Sequence, residues 1–344
     1  MTVQSDALPA AARFVPAQLT PGSIEELFPD AGKVVKPEEL DSVAAVAGAD
    51  RASTIYKLVN LAIVVLPLFG AAAALALLAY VDFHWIYPTL LVTLYIISGL
   101  GITVGYHRLF THKSFEAGPI VTWFWGVAGS MAAEGPILRW AAMHRQHHQY
   151  SDKHMDPHSP HLHGDTAWGA IRGAYHAHVG WLFENDPANM NRYIGDLQKD
   201  KVVCMVSRQF LLWFLVSLTI PAAIGGLVTG TWLGVLLGFI WGGLARIFVV
   251  HHVTWSINSV CHIWGSRPFN SHDESRNNLI FGIVGFGEGW HNNHHAFPAS
   301  ARHGLMWWQL DVSYIIIRSM EILGLAKRIR VPSPERIASK AREH

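Results

Sequence analysis

The chain has 344 residues, 51% of them hydrophobic and only 15% charged, with a positive mean hydropathy, a balance that fits a membrane protein rather than two soluble domains. A formal net charge of +1 offers no basic field for nucleic acid. Two cysteines, Cys204 and Cys261, are too few for a disulfide framework or a thiolate metal site and read as packed thiols.

Residues 1–53 lack a basic segment followed by an apolar run, so they do not read as a signal peptide. They form a polar, proline-containing extension in which residues 24–28 are a candidate surface helix. Four apolar runs follow, at about 58–81, 85–106, 209–229 and 231–250. At 1.5 Å per residue each is long enough to cross a hydrocarbon core of about 30 Å. They pair as two transmembrane hairpins, the first closed by Asp82, Phe83 and His84, the second by Gly230. Pro67 and Pro221 are expected to bend the first and third spans. Arg51, Lys57, Arg108, Lys113, Lys201, Arg208 and Arg246 lie at the open ends, whereas the tight connections carry no Lys or Arg. The positive-inside rule then places both termini and the long middle loop in the cytoplasm. A further apolar stretch, 119–138, is interrupted by Glu134, Gly135 and Pro136 and reads as interfacial or packed on the bundle. Arg246 is expected to snorkel or to pair at the interface.

The composition holds 21 histidines and 14 tryptophans, which an ordinary membrane bundle does not explain. Three histidine clusters fall on one predicted side: His107-Arg-Leu-Phe-Thr-His112, His144-Arg-Gln-His147-His148 and His291-Asn-Asn-His294-His295. In a helix, the spacing i, i+3, i+4 puts each triad on one face, converging on metal. His107 and His112 are five apart, about 140° round an α-helix. The chain is therefore expected to leave regular helix before His112, and the two not to bind one metal as a simple helical pair. Imidazole suits iron, zinc and copper, and eight histidines are about twice what one tetrahedral zinc needs, so two metals fit the count. His262 is a ninth candidate ligand, and Asn258, four residues before it, a candidate to hold a metal-bound water. Asp156 and His158 are candidates to orient a ligand imidazole. The remaining histidines, His303 among them, read as ordinary hydrogen-bonded residues.

Gly105-Tyr-His-Arg-Leu-Phe-Thr-His112, the Arg139 to His148 segment with Asp156-Pro-His158 after it, and the Gly287 to Pro298 segment resemble the three histidine boxes of the stearoyl-CoA (delta-9) desaturase family. The resemblance runs from about residue 54 to about 331, leaving 332–344 as a C-terminal tail. It implies an all-α integral membrane fold, four spans under a cytosolic helical cap, with a histidine-ligated di-iron site. Carried over by motif, the ligands are His107, His112, His144, His147, His148, His262, His291, His294 and His295, with Asn258 acting through water. It also implies a bent acyl tunnel, with Trp140, Thr254 and Trp255 at its bend. One departure concerns the acyl carrier: the family's animal enzymes carry Arg-Asp before the second box, where they help bind the CoA head group, and this chain has Ala142-Met143.

The implied reaction is O₂-dependent insertion of a cis double bond, at delta-9 by family preference, into a saturated long-chain acyl substrate. Acyl-CoA is the first carrier, with acyl-lipid and acyl-carrier protein as alternatives. Two iron ions are the cofactor and O₂ the co-substrate. No haem or ferredoxin motif is fused to the chain, so electrons are expected from a separate ferredoxin, cytochrome or flavoprotein reductase. Lys327, Arg328 and Arg330 would be its docking point or, after an amphipathic helix at 313–323, a membrane anchor. The expected location is a bacterial inner membrane. The rival readings are a di-iron membrane hydroxylase and, from another class, a haem electron carrier or metal transporter.

Overall fold

A computed structural model describes residues 54–82, 84–184 and 190–342. The expected extension 1–53 lies outside the described residues. Among the described residues, four helices are long and apolar enough to cross a membrane: Thr54–Leu77, Ile86–Thr111, Phe210–Thr229 and Trp232–Ile263. The first is helix α1. The second is α2 (Ile86–Leu100) continued by a π-helix, Gly101–Thr111, and the third is α8 (Phe210–Thr229). The fourth is continuous through α9 (Trp232–Gly238), a second π-helix (Phe239–Ala245), α10 (Arg246–Asn258) and α11 (Val260–Ile263).

The fourth span is central. Span three packs on its own hairpin partner, but spans one and two, paired by sequence, pack on the fourth rather than on each other. Small residues permit this, because without a hydrophobic driving force between helices close backbone approach carries the packing. A Cβ added to Gly70 would stand 2.2 Å from Leu244 Cβ, and one added to Gly242 would stand 2.4 Å from Pro221 Cβ.

Spans two and four hold 26 and 32 residues, about 39 and 48 Å at 1.5 Å each, against a core of about 30 Å. Both therefore have turns to spare, and their C-terminal turns carry His107, Asn258 and His262. This extends both spans past the ends expected at 106 and 250. Arg246 does not snorkel. It is fully buried, donating from Nη1 to Met131 O (2.5 Å), from Nε to Gly242 O (3.1 Å) and from Nη2 to Ser217 Oγ (3.1 Å).

The intervening segment builds the cap. Helix α3 (Pro119–Ser130) has twelve residues, about 18 Å and too short to cross. It lies against the π-helix of span two. Helix α4 (Ile137–Tyr150) starts directly after Pro136, followed by α5 (Ala167–His178), α6 (Asn191–Ile194) and α7 (Lys201–Arg208). After the fourth span come α12 (Leu279–Val284), α13 (His291–Ala296) and α14 (Val312–Ile322), the last burying Ser313, Ile317 and Met320. Strands β1 (Glu116–Ala117) and β2 (Ala326–Lys327) pair antiparallel, and Arg328 bonds Glu116 at 2.9 Å. The segment read as a tail forms α15 (Pro334–Lys340), capped by Ser333; Lys340 Nζ donates to Ala296 O at the end of α13.

Candidate metal centre

The three histidine clusters and His262 meet as two buried groups. In the first, the ring nitrogens of His107, His112, His144, His148 and His294 lie within 4.8 Å of one another; in the second, those of His147, His262, His291 and His295 do. Each i, i+4 pair thus serves one group, and the i+3 residue serves the other. Each triad was read as sharing one helix face, and the helix also explains the split. At about 100° per residue, i+4 lies about 40° from i, but i+3 lies about 60° away on the opposite side.

His107 and His112, expected not to bind one metal as a simple α-helical pair, fall in one group. They stand at the end of a π-helix, and the His112 amide donates to the His107 carbonyl at 3.0 Å, an i→i+5 bond. That winding returns residue i+5 to the face of residue i, which an α-helix does not.

The residues fit a metal on three grounds. Closest approaches between Nε2 atoms are 3.1 Å for His107 and His294, 3.0 Å for His144 and His148, 2.9 Å for His148 and His294, and 3.1 Å for His262 and His291. Two ligand nitrogens at right angles around a metal with bonds of about 2.1 Å would stand about 3.0 Å apart. Both nitrogens of His112 and the Nε2 atoms of His147 and His295 are buried without a hydrogen-bond partner, a cost that coordination removes. Burial, reinforced by the neighbouring imidazoles, holds His112, His144, His148, His291 and His294 well below the usual histidine range. They are therefore neutral, the form that binds metal.

Carboxylates fix the tautomer of four rings by taking Nδ1 and leaving Nε2 for the group. His147 is paired with Asp156 (2.9 Å), His262 with Asp152 (2.8 Å), His295 with Asp273 (2.5 Å) and His107 with Glu288 (2.7 Å). Burial alone would raise these acids. The imidazoles hold Asp156 at about 2 and Asp152 and Asp273 lower still, while Arg108, with His107 and His303, holds Glu288 well below its usual range.

Of the sequence-named residues, Asp156 takes the orienting position, and the ring of His158 lies 4.3 Å from that of His147. Asp152, Asp273 and Glu288 were missed. A signal was available for Glu288, three residues before the third box, since a ligand imidazole needs an acceptor at its second nitrogen. His303 was read as ordinary. It is fully buried, with its ring 4.5 Å from that of His294 and Nδ1 3.4 Å from Glu288. Two further histidines bond carbonyls of candidate ligands: His161 that of His262 at 2.9 Å, His272 that of His148 at 3.2 Å.

A cavity joins the spans to both groups. It is lined by Ile63, Tyr95 and Ile102 from the membrane part, by Trp140, Thr254, Trp255 and Asn258, and by His107, His144 and His291. Trp140 stacks on His144, centroids 5.0 Å apart and planes 18° apart, and Trp255 stacks on His251.

The fatty acid desaturase family model matches residues 83–312, well over half of the chain. The chain belongs to the fatty acid desaturase family. The chain is similar to a hex-5-enoyl-[acyl-carrier protein] acetylenase of Moorena producens, 41% identical over 80% of this chain and 87% of the relative. It is similar to delta-9 acyl-lipid desaturase 1 of Arabidopsis thaliana, 39% identical over 75% and 80%. A third relative is the sn-1 stearoyl-lipid 9-desaturase of Synechocystis sp., 36% identical over 79% and 81%.

Proposed function

We propose that this desaturase places a cis double bond at delta-9 of a saturated long-chain acyl group, using O₂ and two iron ions held by the nine histidines, with Asn258 holding a metal-bound water. The observation that carries the reading is the apolar cavity lined by residues of the spans, by Trp140, Thr254 and Trp255, where we place the turn, and by histidines of both groups. The balanced reaction converts –CH₂–CH₂–, O₂, two electrons and two protons into –CH=CH– and two waters. The electrons come from a separate ferredoxin, cytochrome or flavoprotein reductase, for which Lys327, Arg328 and Arg330 are the proposed docking point. Bound iron would supply the one-electron oxidising power that an unactivated C–H bond requires.

The chain's own residues supply position. The apolar walls hold the alkyl chain away from water, and the turn brings one pair of neighbouring carbons to the histidine groups, so regioselectivity comes from proximity. Asp152, Asp156, Asp273 and Glu288 hold the rings of their partners against rotation. CoA is the proposed carrier. The similar proteins are named for acyl-lipid, acyl-CoA or acyl-carrier protein substrates, so all three belong in the assay. The proposed setting is a bacterial inner membrane with both termini and the histidine groups on the cytoplasmic side.

Expression in a host lacking its own delta-9 desaturase, beside a His147→Ala, His148→Ala control, tests the reading by mass spectrometry of total fatty acids. New delta-9 monoenes that vanish in the control are expected. Hydroxy acids would move the assignment to the hydroxylase reading, and no new product with a matched reductase present would overturn it.

A further inference from the structure

Two carboxyl groups line the cavity, Glu134 and Glu288. Glu288 is neutralised by its contacts with Arg108 and His107. Glu134 is not: among the described residues no Lys, Arg or His forms an ion pair with it. Its Oε2 accepts from Trp140 Nε1 at 2.9 Å, and its Oε1 is buried with no hydrogen-bond partner. It therefore stands at the turn where the acyl chain is proposed to pass, touching the tryptophan that stacks on His144.

An ionised carboxylate with one unpaired oxygen in such a place is costly, whereas a neutral acid leaves the cavity apolar. The groups around it are otherwise engaged. Tyr106 bonds Ser130 and the Gly135 carbonyl, and Arg139 bonds the Tyr56 hydroxyl. His251 lies 3.0 Å from the Ala132 carbonyl, and His144 belongs to the first histidine group. None of them supplies a countercharge at hydrogen-bonding distance.

We propose that Glu134 is a positioning residue that admits the acyl chain when protonated and excludes it when ionised, making chain binding sensitive to proton concentration. Burial pushes its carboxyl up to about 7, against the opposing bond from Trp140. The switch therefore falls near neutral pH, with the competent form on the acid side. Apparent affinity scales with the fraction of competent protein. The dissociation constant should therefore rise by up to about tenfold per pH unit above about 7, while kcat changes less. The inference rests on the acyl-chain reading of the cavity.

The test is binding of stearoyl-CoA to the metal-loaded protein, followed by quenching of tryptophan fluorescence between about pH 6 and about pH 9, with KM and kcat measured in parallel. Wild type should lose affinity as pH rises, through KM, and Glu134→Gln, which keeps the bond from Trp140 and cannot ionise, should be flat. A variant retaining the wild-type profile overturns the inference, because the titrating group would then be elsewhere. Should the variant not fold, a flat wild-type profile still overturns it. Stearoyl-CoA that binds and is desaturated with no pH dependence defeats this inference alone. Absence of binding at every pH defeats the acyl-CoA reading beneath it as well.

Discussion

The His112 amide donates to the His107 carbonyl across five residues at 3.0 Å, and that single i→i+5 turn places both rings in one group of five histidines. Deleting one residue inside the π-helix, for example Val104, should restore α-helical winding and swing His107 off that face. Metal content, measured by mass spectrometry of the purified protein, should fall from about two ions per chain to about one. Retention of both ions would show that the winding is not what assembles the first group.

The carboxylate behind His295 is the closest of the four, at 2.5 Å, and both side chains are fully enclosed. Asp273→Asn keeps the volume but removes the charge that fixes the imidazole tautomer. Metal affinity, from competition with a chelator, should weaken by about 10–100-fold. An unchanged affinity would make Asp273 a packing residue.

Arg145 follows the first histidine of the second box, and its guanidinium donates to Asp196, to the Phe110 and Thr111 carbonyls just before His112, and to Tyr193 O. Burial would raise the Asp196 carboxyl, but Arg145 and Lys113 hold it at about 2. A depressed carboxylate stabilises the fold fully above its ordinary value near 4, and the contribution is lost as pH falls through about 2. The side chain is 38% exposed, so solvent screening reduces the expected cost of Asp196→Asn to about 1–2 kcal/mol. That cost should be equal at about pH 5 and about pH 8 in thermal unfolding. A gap that changed between them would assign the stabilisation to another group.

A Cβ on Gly101 would lie 2.2 Å from the Gly129 amide nitrogen and 2.7 Å from the Ala128 carbonyl oxygen, both backbone atoms. Gly101→Ala should therefore push α3 away from the π-helix at a cost of about 1–3 kcal/mol, seen as a lowered unfolding temperature. Unaltered stability would mean that α3 moves freely, contrary to its close packing.

Much of this was legible beforehand because the signals are local. Four apolar runs report their own length, and H-x-x-H-H spacing reports imidazoles a turn apart. What escaped the sequence depends on winding or on distant partners. Nothing in Gly101–Thr111 announces i→i+5 bonding, so His107 and His112 looked divergent. Asp152 and Asp273 meet His262 and His295 only through the fold, 110 and 22 residues away. Arg246 was expected at an interface because a lone cation in an apolar run usually reaches for water; instead three backbone carbonyls and a serine hydroxyl surround it. Glu134 looked like a break in an apolar stretch, and its place in the cavity beside Trp140 emerges only in the fold.

The most direct test of the central claim is the iron content and magnetic state of the anaerobically purified protein, by elemental analysis and Mössbauer spectroscopy, in wild type and in His112→Ala and His291→Ala. The two-group account predicts about two irons per wild-type chain, with each variant weakening a different site. One iron, or an iron pair lost identically in both variants, would contradict the division of the nine histidines into two metal sites.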